Sequence, residues 1–112
     1  MSDYVADTHA LYWYLTGDAK LGTNAQSAFQ QAEQGQGTIH VPSIVVAEMY
    51  YLMAKQGQTH LFAGVYQRLS VAAHIRFLDF RAEDILEFDA LIAIPEMHNR
   101  IIAGDAHRLG LP

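Results

Sequence analysis

The spacing of apolar and polar positions changes period along the chain, and each change marks an element. Tyr4-Val5-Ala6 is a short extended run ending at Asp7-Thr8, after which Leu11, Tyr12, Trp13, Tyr14 and Leu15 read as a helix stopped by Gly17. A second helix is predicted from Thr23 to Gln34, with Thr23 as N-cap, Ala25, Ala28, Phe29 and Ala32 as its apolar stripe, and Gly35 and Gly37 breaking it. Thr38 to Val41 returns to a strand pattern. Pro42-Ser43 closes that strand and opens a helix over about Ile44 to Ala54, terminated near Gly57. Thr59 is the expected cap of a further helix carrying Leu61, Phe62, Val65, Tyr66 and Leu69. Ile75 to Phe80 alternates as a strand, Ala82 to Ala90 resumes helical spacing, and a last helix is expected after Pro95, from about His98 to Leu109, stopped by Gly110 and Pro112.

Strands alternating with helices of this length predict an α/β fold, a mostly parallel sheet covered on both faces with right-handed crossovers. In such sheets the functional groups lie beyond the carboxyl ends of the strands. The length of 112 residues, 51% of them hydrophobic, fits one domain spanning 1–112 with a real core. No internal repeat or linker-like run divides it. The absence of Cys excludes a disulfide framework, a Cys-ligated zinc site and a thiol nucleophile together. No basic residue precedes an apolar run at the N-terminus, and Pro42, Glu48, Lys55 and Pro95 interrupt every stretch approaching the roughly 18 apolar residues of a membrane span. A soluble, cytoplasmic protein is expected. A net charge of −5 argues against an extended basic footprint for duplex DNA. It leaves open a nuclease, whose acidic metal site itself contributes negative charge.

Asp7 is the most informative residue because it follows the first strand, where a side chain reaches the crevice at the top of the sheet. Its structural role would be to cap the next helix, which Asp and Thr both do well. Glu48 shifts the balance toward chemistry: it lies among Ile44, Val45, Val46, Ala47, Met49, Tyr50, Tyr51 and Leu52, and a carboxylate in so apolar a helix needs a partner. The six histidines show neither HExxH nor His-x-His spacing, so a zinc site is weakly supported. His9 falls in the first helical turn, facing a substrate or capping. Tyr12, Trp13 and Tyr14, with Tyr50 and Tyr51, are read as core or partner-interface positions ahead of base-stacking ones.

Three segments carry a resemblance: Tyr4-Val5-Ala6-Asp7-Thr8-His9-Ala10-Leu11, Val41-Pro42-Ser43-Ile44-Val45-Val46-Ala47-Glu48 and Glu96-Met97-His98-Asn99-Arg100-Ile101-Ile102-Ala103. In order and spacing they resemble the PIN domain, specifically the ribonuclease toxins of VapBC toxin–antitoxin systems. The resemblance implies a three-layer α/β/α sandwich and an acidic cluster that holds Mg²⁺ or Mn²⁺ and cleaves RNA by metal-activated water. It also implies an antitoxin protein as partner and a homodimer, for which Tyr50, Tyr51 and Tyr66 are candidate contacts. Asp7 matches the first family acid and Glu48 the second. Asn99 stands where the family typically has Asp, a neutral ligand at best, and a further acid on a C-terminal strand is implied after Gly110-Leu111-Pro112, where this sequence stops. Thr8 is then positioned to orient water or a ligand carboxylate, and Arg100 to hold an RNA phosphate or a site carboxylate. Glu96 is a possible contributor; Asp105, about 240° around an ideal helix from Asn99, does not share its face. The alternative reading is a catalytically weak or inactive PIN-fold module that binds RNA or a protein.

Overall fold

Three short runs rich in β-branched and aromatic residues form a parallel sheet. Strands β1 (Tyr4–Val5), β2 (Ile39–Pro42) and β3 (Ile75–Leu78) lie in the order β1-β2-β3. Tyr4 pairs with Ile39 and Val5 with His40; across the other edge, Ile39, His40, Val41 and Pro42 pair with Ile75, Arg76, Phe77 and Leu78. Parallel neighbours need long crossovers, and helices supply them: α1 (Thr8–Thr16) and α2 (Thr23–Glu33) join β1 to β2, while α3 (Ser43–Lys55) and α4 (Phe62–Val71) join β2 to β3. A 3₁₀ turn at Thr59–Leu61 leads into α4, and a 3₁₀ segment at Ala82–Leu91 follows β3. The computed structural model describes residues 3–91, 101–104, 106 and 109.

All four residues of β2 are buried, so the central strand has no wet face, and both α2 and α3 pack on it. This is the layered arrangement that near-continuous apolar strands demand. Leu11 of α1, Phe29 and Ala32 of α2, Val45, Met49 and Met53 of α3 and Leu69 of α4 complete the core around Ile39 and Val41. The α3 contributors recur every four residues, which keeps one stripe of that helix on the sheet. Phe29 is only 1% exposed and stacks on Tyr14, with ring centroids 4.0 Å apart. The Tyr14 hydroxyl donates to the Glu33 carboxylate and lies 3.3 Å from His74 Nε2. Tyr14 is therefore a packing residue joining α1, α2 and the start of β3, and burial together with the Glu33 charge pushes its hydroxyl well above the ordinary tyrosine range.

His40 is the polar exception on β2. Its Nε2 sits 3.1 Å from Asp3 Oδ2, while Asp3 Oδ1 accepts from the Thr38 N–H at 3.1 Å. Asp3 so clamps the entry of β1 to β2, and the hydrogen bond from His40 holds its carboxyl below the usual range.

Several boundaries differ from the pattern-based expectation. The α2 cap is Gly22, whose carbonyl accepts from Gln26 N at 2.9 Å, and Thr23 is already helical. Thr59 opens the 3₁₀ turn and α4 starts at Phe62, because the Leu61 N–H turns back to Gln58 O at 2.9 Å. β3 ends at Leu78 and not Phe80, whose N–H leaves the sheet to bond Ser43 Oγ at 3.3 Å. The segment expected to be α-helical from Ala82 is 3₁₀: Arg81 N–H donates to Asp84 Oδ2 at 2.8 Å and Asp84 N–H to Arg81 O at 2.9 Å, reciprocal bonds that fix a three-residue repeat. Of the last expected helix, 101–104 and 106 are helical, whereas Asn99 and Arg100 lie outside the described residues.

Candidate functional site

The chain leaves β1 at Val5 and enters α1 at Thr8, which sets Asp7 beyond the carboxyl end of the strand. Asp7 is the α1 N-cap: its backbone is extended (φ −87°, ψ 174°) and its Oδ1 accepts from the Ala10 N–H at 2.8 Å. The capping role is real, yet the residue is solvent-exposed and its carboxylate also borders a cleft. One residue on, Thr8 turns inward. It is 8% exposed, and its Oγ1 donates to Glu48 Oε1 at 2.7 Å across a sequence separation of 40.

Glu48 reaches that bond because α3 packs against α1. Val45 and Met49 on either side of it are buried in the core, so Glu48 sits half-buried at the margin of the apolar stripe. A hydroxyl from the neighbouring helix is thus one partner of the carboxylate in this helix. Three and four residues further along α3, Tyr51 and Leu52 line the same cleft, and Lys55 follows at the seventh, all within one helical face. The cleft measures about 410 Å³ and is open to solvent; His9 and Ile102, the latter from the 101–104 turn, complete its described wall. His9 leans on Trp13, with ring centroids 5.6 Å apart.

Asp7, Thr8 and Glu48, from a strand end and two helices, line one cleft. Asn99, Arg100, Glu96, His98 and Asp105 lie outside the described residues. Among the described residues no group of three or more His, Asp or Glu side chains converges. Asp7 and Glu48 together suit a hard divalent cation, which takes one or two carboxylates, keeps several waters and leaves positions for phosphate oxygens. The Tyr4 hydroxyl nearby is raised chiefly by burial, with the neighbouring Asp7 adding to the shift.

Sequence reasoning missed Lys55 as a site residue and undervalued Tyr51. The signal was available in their spacing from Glu48, which places a carboxylate, a ring and a cation on one helical face. No helix of the described residues is long and apolar enough to cross a membrane.

With this geometry in hand, comparison with known proteins gives one match: the family model described as PIN domain aligns with residues 4–109. Neither the curated proteins nor the solved structures hold a match to the chain.

Proposed function

This chain belongs to the PIN domain family, whose members are generally nucleases, and we propose that it is a metal-dependent endoribonuclease acting in the cytoplasm as the toxin half of a toxin–antitoxin pair. The observation that carries the reading is the meeting of Asp7 and Glu48 in one open cleft past the end of β1. They would hold Mg²⁺ or Mn²⁺, with Asn99 as a neutral third ligand. When bound, such an ion supplies Lewis acidity toward the phosphodiester and lowers the pKa of water.

The remaining work falls to the chain. Thr8, donating at 2.7 Å, fixes one oxygen of Glu48 and so orients the other. The Ala10 N–H does the same for Asp7, fixing Oδ1 at the positive end of the α1 dipole. Arg100 would meet an RNA phosphate or a site carboxylate. An antitoxin would silence the enzyme, and a homodimer would draw on the aromatic surface where Tyr50 and Tyr66 are 42% and 45% exposed. Tyr51, also exposed, lines the cleft itself.

The amide at position 99, where the family resemblance implies an acid, favours one second reading: a weak or inactive PIN module that binds RNA or a protein. Calorimetric titration with Mn²⁺, alongside cleavage of a labelled single-stranded RNA, separates the two. The enzyme reading expects weak binding and slow cleavage that both strengthen in Asn99→Asp, because the added charge complements a hard dication. Mn²⁺ binding and cleavage unaltered by Asn99→Asp would remove residue 99 from the site, and no cleavage by either form would leave the binding module.

A further inference from the structure

Beyond its carboxylate, α3 presents a second set of groups to the cleft. Tyr51 and Lys55 follow Glu48 on the same helical face, displaced along the axis by about 4.5 Å and about 10 Å. Tyr51 is 68% exposed, so its ring is open to a ligand in the cleft it lines. It is nonetheless held. Its ring meets Tyr50 edge to face, centroids 5.5 Å apart at 85°, and Tyr50 meets Phe62 in the same way at 5.4 Å and 86°. Phe62 in turn packs on the hydrophobic core. This relay of perpendicular rings braces Tyr51 while leaving most of its surface open. Lys55 ends the row, exposed and without an ion pair among the described residues.

We propose that α3 is the substrate-guiding element of the cleft, stacking one base of single-stranded RNA on Tyr51 and holding the flanking phosphate with Lys55; this rests on the nuclease reading above. Stacking on an exposed ring requires a base that is free of a duplex. Lys55 is the one Lys or Arg among the described residues lining the cleft, and a chain of net charge −5 offers no extended basic footprint of the kind duplex binding needs. The ring supplies affinity without base preference, and the cation offsets the carboxylates that would otherwise repel the backbone. Tyr51 and Lys55 are thus substrate-binding groups for the strand next to the cut.

The test is equilibrium binding of a short fluorescein-labelled oligouridylate to the intact chain, in EDTA to prevent cleavage, over a series of salt concentrations. Tyr51→Ala should weaken binding about tenfold or more with the salt slope unchanged, and Tyr51→Phe should bind as the parent does. Lys55→Gln should reduce the slope of log K against log salt by about 0.7, the loss of one phosphate contact on a single strand. Parent-like affinity and slope in Tyr51→Ala and Lys55→Gln, with the parent chain binding well, would overturn the guiding role and leave the nuclease reading standing. Unchanged RNA affinity in Tyr51→Ala with a dimer-to-monomer shift in sedimentation would assign the ring to a protein interface instead. No RNA binding by the parent chain at low salt would overturn the nuclease reading and this proposal together. Circular dichroism checks that each variant folds.

Discussion

Replacing Thr8 by Val tests whether the site is held together by a hydrogen bond between its two helices. Val keeps the β-branch and nearly the volume, and its helix propensity is close to that of Thr. What disappears is the donor lying 2.7 Å from Glu48 Oε1. Because Thr8 is buried and Glu48 half-buried, water replaces that donor poorly. A hydrogen bond to a charged acceptor contributes about 1.5–3 kcal/mol. For a domain of this size, at about 4 °C per kcal/mol, the melting temperature should fall by about 6–12 °C. The pairwise part is isolated by a double-mutant cycle of Thr8→Val and Glu48→Ala followed by urea denaturation, with an expected coupling of about 1–2 kcal/mol. In the same proteins, Mn²⁺ affinity measured by calorimetry should drop about 10-fold or more in Thr8→Val, since an unpinned carboxylate must be ordered on binding. Additivity within about 0.3 kcal/mol, together with parent-like Mn²⁺ affinity, would refute the claim that Thr8 organises the site.

Asp7 serves two functions that substitution can separate: Asp7→Asn should retain the α1 cap to within a few tenths of a kcal/mol and lose Mn²⁺ binding, whereas Asp7→Ala should lose both, costing about 0.5–2 kcal/mol in urea melts. Asp3 is held below its ordinary pKa by the His40 hydrogen bond, so its stabilisation is present above the unfolded carboxyl range and disappears as pH falls through the lowered folded value. Acid titrations of stability should therefore be shallower on that limb in Asp3→Asn than in the parent chain. Tyr14 has the opposite sign: with its folded pKa raised, stability is full below the unfolded tyrosine value near 10 and declines as pH rises above it. Tyr14→Phe should flatten that alkaline decline in melts monitored by circular dichroism.

The sheet and the first half of the site could be read from sequence because each rests on a local signal. Asp7 is marked by its place after an extended run, and Glu48 by its isolation in an apolar helix; chemistry that requires buried partners makes such residues conspicuous. The role of Thr8 beside a site carboxylate came only through the resemblance and not from local pattern, since a bond spanning 40 residues depends on how α1 packs against α3. The misplaced caps have a related cause. Thr23 and Thr59 are good capping residues, but the caps fall one residue earlier at Gly22 and two residues later at Leu61, where carbonyl partners in the adjoining turns decide the first helical residue. Lys55 was passed over because a lysine at the end of an amphipathic helix is ordinarily a solvated terminus, and only the cleft gives it a context.

The measurement closest to the central claim is cleavage of a labelled single-stranded RNA by the chain, by Asp7→Asn and by Glu48→Gln, each with Mn²⁺ and with EDTA. The account predicts slow cleavage that appears only with Mn²⁺ and is lost in both variants, because either change removes one of the two described carboxylates that would hold the ion. Cleavage that persists in EDTA and survives both substitutions would contradict it.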